Sequence, residues 1–225
     1  MRDIDFLKNK KIAHRGIYDN KVVPENSIMA FEKAIDKKEM IELDVHLTKD
    51  DKVVVFHDDT LDRMTNKKGN IKDYTLEELN SIKLVGGFTI PTLSEVLKLT
   101  QGKVPLLIEL KIDQKNYKLE KEVIKLLDDY KGEFAIQSFR PSTIIYFRIF
   151  RNNYIRGLLI SKLTNIKYKS IKKINVCKPD FINVNKNIFN NKKVKEFDGI
   201  KIVYNLDKKD LKDYSVKCDN TICNI

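Results

Sequence analysis

The chain lacks tryptophan and has only eight glycines, five prolines and three cysteines among 225 residues. No glycines cluster as GxGxxG, which argues against a dinucleotide-binding or P-loop site. The cysteines, Cys177, Cys218 and Cys223, are odd in number and scattered near the end of the chain. We therefore expect free, mostly buried thiols rather than a disulfide framework or a zinc site.

The sequence also lacks a long hydrophobic run. No apolar stretch approaches the roughly 18–20 residues that a membrane-spanning helix needs. The first residues, MRDIDFLK, contain no apolar segment typical of a signal peptide. We expect a cytosolic protein without stable membrane insertion.

Acidic residues are outnumbered, because 43 lysines and arginines face 32 aspartates and glutamates, giving a net charge of +11. Such an excess can indicate a nucleic-acid or anionic-membrane partner. Here the lysines are spread along the chain and mixed with acids, which favours a solvated basic surface. We expect no nucleic-acid partner, although a basic field would help to attract an anionic phosphodiester.

Short apolar runs alternate with amphipathic stretches. The predicted strands are residues 11–13, 41–47, 53–56, 105–110, 134–137, 155–160, 181–184 and 200–204, with a last apolar fragment at 221–225. Helices are predicted between them, including a basic one at 165–173. Short links imply parallel strands with helices outside. About eight strands favour an α/β fold, a (β/α)8 TIM barrel formed by one domain, residues 1–225, over a doubly wound sheet without a glycine-rich loop.

The polar, irregular stretch at residues 59–91 interrupts this alternation. It contains one capping-box signature, Thr75–Glu78, and a second one, Thr92–Glu95, follows directly after it. Each predicts a short helix. We interpret residues 59–91 as a small insertion between the third and fourth strands.

The stretch Ile41–Asp58 holds the densest set of ionisable residues. Glu42 and Asp44 are two apart, so they share one face of a strand. Burying both without a counter-charge is costly, and a metal ion would supply one. The turn at 48–51 is too short for a helix, so the two strands form an antiparallel hairpin or run parallel.

Few polar residues stand at predicted strand ends. They are His14, Arg15, Glu42, Asp44, His57, Glu109 and Lys111. Carboxylates suit magnesium or calcium, histidines suit proton transfer, and fixed cations suit phosphate oxygens. These are the parts for metal-assisted cleavage of a phosphodiester. The structural alternatives are solvated edge acids, a Glu109–Lys111 ion pair and hydrogen-bonded neutral rings, which we expect for His46.

The order of the motifs carries a resemblance. HRG at 14–16, PENS at 24–27, IELDV at 41–45, VVFHD at 54–58, LDR at 61–63 and IELK at 108–111 together resemble the glycerophosphodiester phosphodiesterase family. The resemblance implies a distorted TIM barrel related to phosphatidylinositol phospholipases C. It also implies hydrolysis of small glycerophosphodiesters to glycerol 3-phosphate and an alcohol.

The resemblance assigns roles residue by residue. It implies that His14 and His57 form an acid/base pair. It implies that one divalent cation, Mg²⁺ or Ca²⁺, is bound by Glu42, Asp44 and Glu109. Arg15 and Lys111 would bind the phosphate, and Glu25 would be a supporting acid. Glu25 would support the metal or His14. Residues 59–91 would lie over the barrel mouth.

One departure and two alternatives stay open. Tyr204 stands where the family often has tryptophan, which puts the substrate preference in doubt. The same site could serve a lysophospholipase D acting on lysolipids at a membrane surface, marked by an apolar patch within residues 84–90. A non-catalytic basic binding module would instead show salt-sensitive nucleic-acid binding. The sequence determines neither the alcohol nor the oligomeric state.

Overall fold

The computed structural model describes residues 3–112, 116–161, 174–207, 209–214 and 217–223. The basic helix predicted at 165–173 lies outside these residues. None of the helices within them is long and apolar enough to cross a membrane. By its contacts the chain forms two compact units, an N-terminal unit (Ala13–Glu133) and a C-terminal unit (Met1–Ile12 with Phe134–Ile225).

The N-terminal unit carries the first strands and helices. Its strands are the end of β1 (Ile12–His14), β2 (Met40–Leu47), β3 (Val53–Val55) and β4 (Leu106–Leu110). Its helices are α2 (Ile28–Asp36), α3 (Leu76–Asn80), α4 (Leu93–Thr100) and α5 (Lys118–Leu127), with 3-10 turns at Ile71–Asp73 and Val85–Gly87. The capping boxes predicted before α3 and α4 are confirmed.

The C-terminal unit continues the alternation. Its strands are β5 (Phe134–Ser138), β6 (Ile155–Ile160), β7 (Phe181–Asn185), β8 (Ile200–Leu206) and β9 (Asn220–Cys223). These strands pair in parallel in sequence order. Helices α1 (Phe6–Asn9), α6 (Pro141–Phe150), α7 (Lys192–Lys195) and α8 (Leu211–Tyr214) belong to this unit, with a 3-10 turn at Lys186–Ile188 and a helical segment at 174–177. Its three cysteines are free thiols, and Cys177 is buried whereas Cys218 and Cys223 are half-buried.

Strand β2 is the central strand of the N-terminal unit. It is buried over almost its whole length and pairs in parallel with β4. On its other side it pairs antiparallel with β3, with Val45 opposite Val55. The geometry left open by the sequence is therefore an antiparallel hairpin. The amide of Phe56 donates to the carbonyl of Asp44, so the hairpin carries His57 back towards the acidic strand.

Residues 59–91 have an apolar core of their own. Leu61, Met64, Ile71 and Leu79 are among its buried members, and it packs on Val54 of β3. This stretch is therefore anchored to the hairpin that carries His57.

A tight turn links β1 to the loop before α2. Gly16 has φ +82°, and a Cβ there would lie 2.8 Å from the backbone of Ala30 in α2. Arg15 itself has φ +55°, a conformation that costs a non-glycine residue free energy. Close approach of the turn to α2 thus fixes the backbone of Arg15.

We expect Gly16→Ala to lower the free energy of unfolding by about 1–3 kcal/mol more than Gly87→Ala, because only the former meets packed backbone. Gly87 has the same φ, +82°, with no atom within 4 Å of the added Cβ, so the pair isolates the steric contact. Urea unfolding of both variants measures the difference. Equal losses of stability would contradict the close approach.

Candidate active site

Three buried carboxylates lie together on two neighbouring strands. Glu42 and Asp44 project from one face of β2, and the parallel register sets Asp44 opposite Glu109 of β4. Their exposed fractions are 2%, 1% and 6%. One oxygen of each lies within 4.8 Å of the other two, which is a spacing that one cation can bridge.

Two cations face these acids. Lys111 follows β4, and its Nζ lies 3.0 Å from Asp44 Oδ1 and 2.6 Å from Glu109 Oε1. Arg15 follows β1, and its Nε lies 3.6 Å from Asp44 Oδ2, while its backbone N–H donates to Glu42 Oε2 at 3.2 Å. The immediate cluster therefore has three carboxylates for two fixed positive charges.

The pKa values of the three carboxylates follow from burial first and from the neighbouring charges second. Burial raises the pKa of Glu42 well above its usual range, and the charges of Asp44 and Glu109 raise it further. Burial also raises the pKa of Glu109, to about 7, despite the neighbouring Lys111. Burial opposes ionisation of Asp44 too, but Lys111 and the other nearby positive charges outweigh it and lower its pKa. The cluster needs a proton or a further cation to balance its charge.

The donor set fits a hard divalent cation. Asn26 donates from Nδ2 to Asp44 Oδ2 at 2.9 Å, and its buried Oδ1 accepts no hydrogen bond from the described residues. Carboxylate and amide oxygens are the ligands that Mg²⁺ and Ca²⁺ prefer. The residues present would thus hold such an ion through Glu42, Asp44 and Glu109.

Two histidines lie beside the acids. His14 ends β1, and its Nε2 is 3.9 Å from Glu42 Oε2. Burial lowers its pKa to about 4, with a further contribution from Arg15. His57 follows β3, and burial lowers its pKa as well. Both rings are therefore neutral near pH 7 and can accept a proton.

The third histidine has a structural position. His46 is 1% exposed, and its Nε2 lies 3.3 Å from the carbonyl oxygen of His57. It is the hydrogen-bonded ring expected from the sequence.

A second layer of charge surrounds His57 and Arg15. Asp58 Oδ1 lies 2.6 Å from His57 Nδ1, and Arg63 donates from Nε to Asp58 Oδ2 at 2.6 Å. Arg63 also donates to Glu25, which accepts from Arg15 Nη1 at 2.9 Å. Glu25 thus contacts the two arginines, and it also accepts a hydrogen bond from Asn20 Nδ2 at 3.0 Å.

A family model now fixes the relationship. The model of the glycerophosphoryl diester phosphodiesterase family matches residues 14–217. The chain belongs to this family. The match spans both compact units and includes every residue of the site described above.

Individual relatives agree with the family assignment. A glycerophosphodiester phosphodiesterase of Caldanaerobacter subterraneus is 44% identical over 137 residues, which cover 56% of this chain and 56% of that protein. A lysophospholipase D of mouse is 34% identical over 167 residues, covering 68% of this chain and 52% of that protein. The matched stretch thus spans between half and about three fifths of the length of these curated relatives.

A solved structure shows the fold. The Oleispira antarctica phosphodiesterase in complex with the product sn-glycerol-3-phosphate superposes with a TM-score of 0.85. The two sequences are 22% identical, and the likeness covers 96% of this chain and 93% of that one. The (β/α)8 barrel predicted from the sequence is confirmed by this likeness and by the family match.

The structure brings together every site residue named from the sequence that lies in the N-terminal unit. The sequence did not predict that Asn26, Asp58 and Arg63 contact the residues of the site. Their signals were present in the motifs PENS, VVFHD and LDR, but no spacing rule links Arg63 to Glu25, 38 residues earlier.

We expect Mg²⁺ or Ca²⁺ to raise the unfolding temperature of the wild type but not that of Asp44→Asn. Ligand at about 100 times its dissociation constant stabilises a protein by about 2.7 kcal/mol. Thermal unfolding with increasing metal concentration measures the effect. Asp51→Asn is the matched control, since it removes one carboxylate charge from the exposed pair with Lys118. Equal metal-induced shifts in all three proteins would contradict the site.

Proposed function

We propose that the protein is a metal-dependent phosphodiesterase that hydrolyses glycerophosphodiesters to glycerol 3-phosphate and an alcohol. The observation that carries the proposal is the convergence of buried Glu42, Asp44 and Glu109 with two neutral histidines and two cations. The family membership and the named phosphodiesterase relatives support it.

The cations hold the substrate in this proposal. Arg15 and Lys111 lie on the acidic cluster and present N–H donors for the non-bridging phosphate oxygens. Their pKa values are raised by the acids around them, so both stay charged. A divalent cation held by Glu42, Asp44 and Glu109 would supply Lewis-acid polarisation of the phosphate.

The histidines move the protons. One of His14 and His57, as a neutral ring, removes the proton of the attacking hydroxyl. The other must first take up a proton, which it then gives to the leaving alcohol oxygen. The attacking hydroxyl belongs to water or to the glycerol moiety itself, which would give a cyclic phosphate opened later by water. Asp58 beside Nδ1 stabilises the positive charge on His57 when it forms, which favours His57 as the base.

We expect His14→Ala and His57→Ala each to lower kcat for glycerophosphocholine by about 100-fold or more, which is the usual contribution of general acid–base catalysis. Activity is measured with Mg²⁺ and Ca²⁺ on a panel of glycerophosphodiesters that differ in the alcohol. Asp51→Asn, a change at the exposed pair with Lys118, should keep wild-type turnover.

Two results would contradict the proposal. One is turnover within about tenfold of wild type in both histidine variants, which is less than acid–base catalysis contributes. The other is full turnover in an excess of a strong chelator, which would exclude the metal.

A second candidate is a lysophospholipase D that works at a lipid surface. Val22 and Val85 are 65% and 37% exposed, and the carbonyl of Val22 lies against Gly86. Lys21 and Lys83 beside them are exposed cations. An apolar tip with flanking lysines suits an anionic lipid surface. The lysophospholipase D relative supports this candidate.

If Val22 and Val85 insert into the lipid, we expect Val22→Asp to lower the affinity for phosphatidylcholine–phosphatidylserine vesicles about tenfold, as measured by cosedimentation. The reason is that a buried valine contributes about 1.5–3 kcal/mol. It should slow lysophosphatidylcholine hydrolysis and leave that of glycerophosphocholine unchanged. Val176→Asp makes the same change at a valine of the C-terminal unit that is 58% exposed. Equal effects of the two substitutions would exclude the lipid-surface candidate.

A further inference from the structure

The guanidinium group of Arg63 joins two carboxylates. It donates to Asp58 from Nε (2.6 Å) and Nη2 (3.0 Å), and to Glu25 from Nη2 (2.6 Å) and Nη1 (3.1 Å). One carboxylate lies along each of two edges of the planar group. Lysine has no such fork and could not reproduce this geometry.

The hydrogen bonds from Arg63 to Asp58 set the tautomer of His57. The carboxyl pKa of Asp58 is lowered, because hydrogen bonds from Arg63 and His57 outweigh the effect of burial. An ionised carboxylate only accepts hydrogen bonds, so His57 Nδ1 must carry the proton at their 2.6 Å contact. In the neutral ring Nε2 then holds the lone pair.

The hydrogen bonds from Arg63 to Glu25 set the position of Arg15. Glu25 is 4% exposed, and its Oε1 accepts from both arginines, at 2.9 Å from Arg15 Nη1 and 2.6 Å from Arg63 Nη2. Its Oε2 accepts from Asn20 as well as from Arg63. The carboxylate is therefore held from several directions and in turn holds the guanidinium group of Arg15.

The insertion fixes the position of Arg63. The neighbouring Leu61 and Met64 are buried in the apolar core of residues 59–91, with exposed fractions of 0% and 5%. The side chain of Arg63 is 43% exposed, so its folding contribution as a surface ion pair is small. Its contacts are better explained by positioning than by stability.

We propose that Arg63 is a positioning residue that orients His57 through Asp58 and Arg15 through Glu25. The kinetic part of this inference rests on the proposed function, whereas the tautomer of His57 does not. The insertion would thus couple the proton-transfer group to the phosphate-binding cation.

Nitrogen-15 NMR of histidine-labelled protein tests the tautomer without substrate. The chain has only three histidines, so single-histidine variants assign the spectrum. We expect wild-type His57 to be protonated at Nδ1. In Asp58→Asn the Arg63 donors hold the amide oxygen, so the amide NH₂ faces Nδ1 and moves the proton to Nε2. Asp51→Asn, the same change at an exposed pair, should leave the spectrum unchanged.

Kinetics separate the two sets of hydrogen bonds. We expect Asp58→Asn to lower kcat by about 100-fold with little change in KM, since it alters proton transfer. Glu25→Gln should mainly raise KM, by about tenfold, because Arg15, which binds the phosphate, is then held less firmly. Arg63→Lys should do both. Arg148→Lys is the control, as this half-buried arginine donates to a backbone carbonyl of the C-terminal unit.

Two outcomes would overturn the inference. One is a His57 spectrum that is unchanged in Arg63→Lys, whether or not it changes in Asp58→Asn. The other is an Arg63→Lys enzyme whose kcat and KM both stay within about twofold of wild type. If wild-type protein hydrolyses none of the diesters, the proposed function fails, while the NMR result still decides whether Arg63 orients His57.

Discussion

The burial of three carboxylates on β2 and β4 is the constraint on which the site depends. Glu42, Asp44 and Glu109 are nearly excluded from water, so their charge must be balanced by neighbouring groups. Lys111 and Arg15 balance part of it, but burial still raises the pKa values of Glu42 and Glu109. A divalent cation would complete the balance, and an anionic substrate would then meet cations already in place.

This constraint also explains the local architecture. The β2–β3 hairpin returns the chain so that His57 lies beside the acidic cluster. A parallel strand at this position would need a longer connection than the turn provides. The turn after β1 places Arg15 in a left-handed conformation from which both its backbone and its side chain reach the acids. The next residue, Gly16, approaches the backbone of Ala30 in α2 too closely for a Cβ.

Periodicity and capping patterns predicted much of the fold. The spacing of Glu42 and Asp44 correctly predicts a shared strand face, and the capping boxes correctly start α3 and α4. The sequence prediction left the hairpin and a parallel pair open, because both bring Asp44 near His57. The short turn at 48–51 is nevertheless a signal for the hairpin, since a parallel connection needs about a dozen residues or more. The contacts of Arg63 could not be foreseen, because a surface arginine in an irregular segment has no periodic signal and its partner Glu25 is distant in sequence.

The most direct test of the account is the anomalous diffraction of a crystal soaked with Mn²⁺ and glycerol 3-phosphate. The account predicts one anomalous peak, at which the Mn²⁺ ion lies about 2.0–2.3 Å from carboxylate oxygens of Glu42, Asp44 and Glu109. The phosphate should lie within hydrogen-bond distance of Arg15 and Lys111. A map with no peak among these carboxylates, or with the phosphate bound elsewhere, would contradict it.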